Sequence, residues 1–197
     1  MNPIAIMTDN VHHTPRTYPG LRGESWLSYP ELVSVMSQLP TEGTVIEVGT
    51  ASGATAAVLA RSRPRVSFRC LDIFTESSPD SPPDCADRLA GQDRQRNWFH
   101  NSCSNMVLIC KTLQDAIACG DVDLAAARAV LIDGDHTYEG VAADLAVCAQ
   151  ELPPLIFCHD YDCPSWPGIK TAVDEFLVRA GYVMTNRCNS LVTLRPQ

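Results

Sequence analysis

The sequence predicts an α/β fold in which a doubly wound sheet of seven strands, mostly parallel with an antiparallel last strand, lies between helical layers. Three observations predict it. Short β-branched runs alternate with segments of helical spacing, which implies βαβ units and a parallel sheet. The fourth and fifth runs, "AVLID" and "LIFCHD", are almost continuously apolar, as strands buried on both faces are. The last two runs, "YVMTNR" and "SLVTLRP", have no helix between them and therefore form an antiparallel pair.

The elements follow in order. Residues 1–23 carry Pro, Gly, His and Arg without a period and are expected to be an arm or lid. "LSYPELVSVMSQL" announces a helix, with Ser28 as N-cap and Glu31 completing a capping box. Leu27 and Leu32 can staple its start, and Leu32, Val33, Met36 and Leu39 are read as its apolar face. "TVIEVGT" is the first strand and "GATAAVLARS" the helix after it; "RVSFRCLD" and "MVLICKT" are the second and third strands. Residues 75–85, rich in proline and acidic side chains, form a loop after the second strand. Val141, Leu145, Cys148 and Leu152 keep helical spacing. So do Ile169, Ala172, Val173, Phe176, Leu177 and Ala180, with Gly181 placed to end that helix. Asp144 and Asp162 are expected to face solvent.

Composition narrows the function. The 197 residues suit one domain with a real core; 45% are apolar and 19% charged. The formal charge is −8, and lysine occurs only at positions 111 and 170. A nucleic-acid partner or an anionic membrane surface needs clustered cations, so a small-molecule partner is expected instead. Nine cysteines form no C-x-x-C pair, and several lie in apolar runs, which points to free thiols in a cytoplasmic setting. Cys158 and Cys163 flank His159, but no second ligand pair completes a structural zinc site. Cys158 is expected to point into the core. A homo-oligomer is compatible with the sequence, which shows no exposed stripe to define its interface.

Two stretches carry chemistry. In "EVGTASGAT", Gly49 and Gly53 flank a strand-to-helix turn, and the spacing is E-x-G-x-A-x-G rather than G-x-G-x-x-G. Such a turn brings backbone N–H groups and a helix N-terminus to a ligand. The next strand ends at Asp72, where a carboxylate can accept from ribose hydroxyls. In "AVLIDGDHTYEG" and "LIFCHDYD", two apolar runs end in Asp133, Gly134, Asp135 and His136, and in His159 and Asp160. Ligands of a doubly wound sheet bind outside the carboxyl ends of its strands, and adjacent strands lie about 4.8 Å apart. Asp133, His159 and Asp160 are therefore expected to converge, with Asp135 and His136 turned to the same cleft by Gly134. Trp26, Trp98 and Trp166 are candidate pocket walls, Trp166 foremost.

These residues resemble a known family. E-x-G-x-[AG]-x-G followed by an acid at the tip of strand two is similar to the cofactor motif of class I S-adenosylmethionine-dependent methyltransferases, which share a Rossmann-like sheet. "IDGDHTYEGVAADL" and "HDYDCPSWPGIKTAVDEF" resemble the small methyltransferases of domain family 24. The likeness spans about residues 24–195, a single methyltransferase domain running to residue 197 after the arm. It implies that Glu47, Gly49, Thr50, Ala51 and Gly53 lie along the methionine moiety and Asp72 on the ribose. It also implies Ile73 and the tail of strand three, near Gln114, beside adenine, and Asp133, Gly134 and Asp135 on the cofactor side of the cleft.

The expected reaction is transfer of the methyl group to the oxygen of a small acceptor. Two mechanisms follow. In one, His159 is a general base oriented by Asp160, with Asp133 and His136 completing the catalytic group. In the other, Asp133, His159 and Asp160 hold a divalent ion, as related antibiotic-sugar O-methyltransferases suggest, with His159 where those have a carboxylate. That donor set suits Mn, Fe or Zn better than Mg. Rival readings are a nicotinamide-dependent oxidoreductase, a non-catalytic nucleoside-binding module, and a metal-dependent enzyme of another reaction class.

Overall fold

The computed structural model describes residues 16–74 and 91–197. Most of the expected arm, with its histidine pair at positions 12 and 13, lies outside the described residues, as does the loop 75–85. Helix α1 spans Tyr29–Gln38, followed by β1 (Gly43–Val48), α2 (Ala54–Ser62) and β2 (Val66–Leu71). Then come α3 (Gly91–Asn101), β3 (Met106–Ile109), α4 (Leu113–Ala118) and β4 (Ala127–Ile132). The chain continues through α5 (Tyr138–Glu151), β5 (Ile156–Cys158), α6 (Pro167–Arg179), β6 (Tyr182–Cys188) and β7 (Leu191–Pro196).

The seven strands are ordered β3-β2-β1-β4-β5-β7-β6. The first five in that order are parallel, and β7 is antiparallel to both neighbours, β5 and β6. The order reverses beside β1, so the tips of β1 and β4 form the switch point where doubly wound sheets bind ligands. The expected fold class is the observed one.

Side-chain alternation divides the core into two halves, one on each face of the sheet. Val130 and Ile132 of β4 pack toward α5 and α6, among Val141, Leu145, Ile169, Val173 and Phe176. Ala129 and Leu131 pack toward α1 and α2, among Leu32, Val35, Ala57 and Leu59. A shift of register between Thr44 and Val45 of β1, opposite Ala127 and Ala129, places Ala127 in the first half and Ala129 in the second. Burial of each large apolar side chain contributes about 1.5–3 kcal/mol, so both faces are needed to hold the strand tips.

Local chemistry sets the helix ends. Ser28 N donates to Glu31 Oε2 at 2.7 Å, an arm of the expected capping box. Thr112 and Thr137 cap α4 and α5 by accepting from Asp115 N and Gly140 N. Gly181 has φ 66° just beyond α6, a left-handed step that suits glycine.

Four expectations need correction. Val33 is 44% exposed; Val35 replaces it on the buried face of α1, because a helix turns 100° per residue. The fifth strand closes at Cys158, so His159 and Asp160 belong to the loop after it. Gln114 is the second residue of α4, not the tail of a strand. Asp144 is buried, and Gln114 Nε2 donates to its Oδ1 at 3.0 Å; burial pushes this carboxyl up to about 6. Asp162 is exposed, as expected, and pairs with Arg187. Cys158 is fully buried, also as expected.

Candidate active site

The glycine turn after β1 is built by backbone constraint. Gly49, Ala51 and Gly53 all have positive φ (86°, 46° and 71°). Gly49 N and Thr50 N both donate to Leu71 O, which ties the turn to the tip of β2. A Cβ on Gly53 would stand 2.5 Å from Trp98 Cδ1, so this glycine admits the ring of α3. Trp98 is buried in the core there rather than lining a pocket.

Asp72 completes the turn. Its Oδ2 accepts from Ala51 N and its Oδ1 from Phe74 N, both at 2.7 Å, so the carboxylate is held at the end of the sheet. Ile73 beside it is 55% exposed, an apolar side chain standing out at the same rim. Beneath, Glu47 is buried and its Oε2 has no hydrogen-bond partner among the described residues. Burial, reinforced by the charges of Asp133 and Asp72, pushes Glu47 up to about 8, so it is mostly protonated at neutral pH.

The adjoining rim is formed by the loops after β4 and β5. His159 Nδ1 lies 2.9 Å from Asp133 Oδ1 and 3.5 Å from Asp160 Oδ2. His136 Nε2 lies 3.2 Å from the same Asp160 oxygen and 4.0 Å from Asp133 Oδ1. Asp160 reaches this position with φ 56°, a left-handed conformation that Asp tolerates better than most residues. The two histidines differ in access. The His159 side chain is 5% exposed and that of His136 24%. The His136 ring stacks on Trp166, with centroids 4.7 Å apart and planes 25° apart.

Both imidazoles are raised above the ordinary histidine value. Burial opposes the charge on each, but the neighbouring carboxylates outweigh it. His159 is held well above the usual histidine range by Asp133, Asp160 and Glu31, and His136 is raised by Asp160 and Asp133. Asp135 is exposed and accepts from Thr137 N at 2.8 Å, which places it on the outer lip of the turn.

Sequence reasoning missed Glu31 and Ser190. Glu31 was legible only as a cap. Its Oε2 also lies 3.6 Å from His159 Nε2, and its Oε1 accepts from Ser190 N and Oγ at 3.0 and 2.8 Å. These contacts and burial act in opposite senses, and the contacts win, taking Glu31 down to about 2.

Comparison with known proteins fits this geometry. A family described as a methyltransferase domain matches residues 46–161, from within β1 through the loop after β5. No curated protein matches the chain by sequence. Among solved structures, the O-methyltransferase NovP aligns with a TM-score of 0.65 at 15% identity, over 88% of this chain and 82% of its own. A precorrin-6y C5,15-methyltransferase from Geobacter metallireducens GS-15 aligns at 0.59 and 13% identity, over 84% and 87%. TrmK of M. capricolum, in complex with S-adenosylhomocysteine, aligns at 0.59 and 11% identity, over 87% and 69%. At such identities these likenesses speak for the fold. The family match goes further: the chain belongs to the methyltransferase-domain family and is a class I S-adenosylmethionine-dependent methyltransferase. No helix among the described residues is long and apolar enough to cross a membrane.

Proposed function

We propose that this methyltransferase moves the methyl group of S-adenosylmethionine to a hydroxyl oxygen of a small molecule, a phenol or a sugar. The observation that carries the reading is the convergence of Asp133, Asp160, His136 and His159 beside the glycine turn. The turn suits the cofactor. Asp72 is held where a ribose would meet it, Ile73 offers an apolar face to a purine, and the surrounding carboxylates favour a sulfonium. Glu47, Gly49, Thr50, Ala51 and Gly53 would follow the methionine part, and Asp133, Gly134 and Asp135 the cofactor side of the acceptor cleft. Gln114 would border adenine with its amide steadied by Asp144.

The cofactor supplies the electrophilic methyl group. The protein must orient the acceptor oxygen and take its proton. In this proposal the base role passes from His159 to His136. His159 is sealed, with both ring nitrogens facing protein groups. His136 is partly open, braced on Trp166, with Nε2 beside Asp160, and in this reading its Nδ1 would receive the proton. Asp160 then steadies the imidazolium that forms, the part a carboxylate plays beside a catalytic histidine. Net acidity of the chain disfavours a polyanionic acceptor.

A metal-assisted version is favoured by one further observation. Asp133, His159 and Asp160 can each offer a ligand atom, and these atoms lie within 4.8 Å of one another. The donor set fits a divalent ion of the Mn, Fe or Zn type, which would lower the pKa of an acceptor oxygen. Calorimetry with S-adenosylhomocysteine, then a screen of phenols and sugars for methyl transfer with and without chelator, tests both versions. Tight cofactor binding, transfer that survives chelation, and a loss of about 10²–10⁴-fold in His136→Ala are expected for the base. Preference for NAD over S-adenosylhomocysteine would sink the reading.

A further inference from the structure

Glu31 sits on α1, yet it is 2% exposed and its carboxylate comes within 3.6 Å of His159 Nε2. A capping acid normally stays in water at the helix surface. This one is enclosed by Ser28 N on Oε2 and by Ser190 N and Oγ on Oε1. Ser190 Oγ also lies 3.4 Å from His159 Nε2. The hydrogens can be counted. A serine hydroxyl has one, and Ser190 Oγ, at 2.8 Å, gives it to Glu31 Oε1. Toward His159, Ser190 then presents only a lone pair, and the Glu31 carboxylate presents only acceptors. His159 Nε2 therefore faces acceptors alone and must carry a hydrogen. Its Nδ1 faces the carboxylates of Asp133 and Asp160, which are acceptors too, so without an ion that nitrogen also donates.

We propose that Glu31, backed by Ser190, is a positioning residue for methyl transfer: it fixes the orientation of His159, and through it the placement of Asp133 and Asp160. The proposal rests on the reading of this cluster as the acceptor-side site. It holds whether Nδ1 donates to the two aspartates or, with its hydrogen lost, shares an ion with them. A carboxylate behind a functional histidine sets which ring nitrogen is presented, and removing such a partner typically costs about 10–100-fold. Neither Glu31 nor Ser190 needs to touch cofactor or acceptor.

The test uses the full chain with ¹⁵N-labelled histidine, metal-free, and a His159→Gln variant to assign the signals. Ring-nitrogen NMR is expected to show a proton on His159 Nε2 in the native protein. Glu31→Gln can turn its amide N–H to that nitrogen, so His159 is expected to shift toward the Nδ1–H form. With an acceptor from the screen, kcat is expected to fall about 10–100-fold while KM for S-adenosylmethionine stays within about threefold. Glu31→Asp should restore part of kcat, and thermal melting reports the fold of each variant. Ser190→Ala, a smaller change, should give the same NMR trend with a few-fold loss, and it decides the matter if Glu31→Gln does not fold. An unchanged His159 spectrum and unchanged kcat in the folded variants would overturn the proposal. Failure of the native protein to bind S-adenosylhomocysteine would instead sink the functional reading, while the NMR result still judges the clamp.

Discussion

The backbone of Asp133 lies directly against Gly49: a Cβ on Gly49 would stand 2.1 Å from the Asp133 carbonyl oxygen and 2.3 Å from Gly134 Cα. The tips of β1 and β4 thus meet backbone to backbone, and the cofactor turn and the acceptor rim share one seam. Gly49→Ala would add a clash with rigid atoms to a residue held at φ 86°. Overpacking costs about 1–3 kcal/mol and the left-handed conformation about 1–2 more. The variant is expected to lose several kcal/mol in urea denaturation and to bind S-adenosylhomocysteine at least tenfold more weakly in calorimetry.

Trp166 stacks on His136, on the acceptor side of the cleft in the proposed reading. Trp166→Ala should therefore raise KM for the acceptor about tenfold and leave S-adenosylhomocysteine affinity nearly unchanged. Trp166→Phe, which keeps a ring, should recover most of the loss. Equal weakening of cofactor and acceptor would show that the ring supports the whole cleft rather than the acceptor side.

Glu47 gives a pH dependence of definite sign. Its carboxyl rises from 4.5 to about 8 on folding, so the folded chain binds more protons than the unfolded one between those values. Stability then falls as pH rises through that window, by up to about 1.4 kcal/mol per unit from this group. Glu47→Gln mimics the protonated acid. It should be nearly neutral at pH 5 and stabilising at pH 8 in thermal melts. Equal effects at both pH values would remove this account of the buried acid.

Tyr182 is buried and donates to Pro153 O at 2.6 Å, tying the start of β6 to the segment before β5. Tyr182→Phe keeps the ring packed near Phe176, 5.0 Å between centroids, but leaves the carbonyl unpaired. A loss of about 1–3 kcal/mol is expected. It should appear as a lower melting temperature with kcat unchanged.

The parallel strands, α1 and the closing hairpin were legible because each has a strong period or a capping signal. Helix α3 was not: in "GQDRQRNWFHN" only Gly91, Arg94, Trp98 and Asn101 are buried, and a mostly polar helix carries little hydrophobic pattern. Helix α4 has six residues and an N-cap threonine, too short for periodicity to register. In the site, Asp133, His159 and Asp160 could be brought together from the parallel order of two apolar runs. The second task of Glu31 could not. It depends on Ser190, 159 positions away, and on the burial of a capping acid that local spacing would leave in water. Asp144 escaped for the same reason, since its partner Gln114 is 30 positions upstream.

Strand β7 slots between β5 and β6, and Ser190 sits at the hairpin bend just before it. A growing polypeptide would have both imidazoles and all three neighbouring carboxylates before it had the hydroxyl that braces Glu31. Assembly of the centre thus waits until the turn before β7 has been made, and a chain halted at β5 would carry its reactive groups without the brace that aligns them.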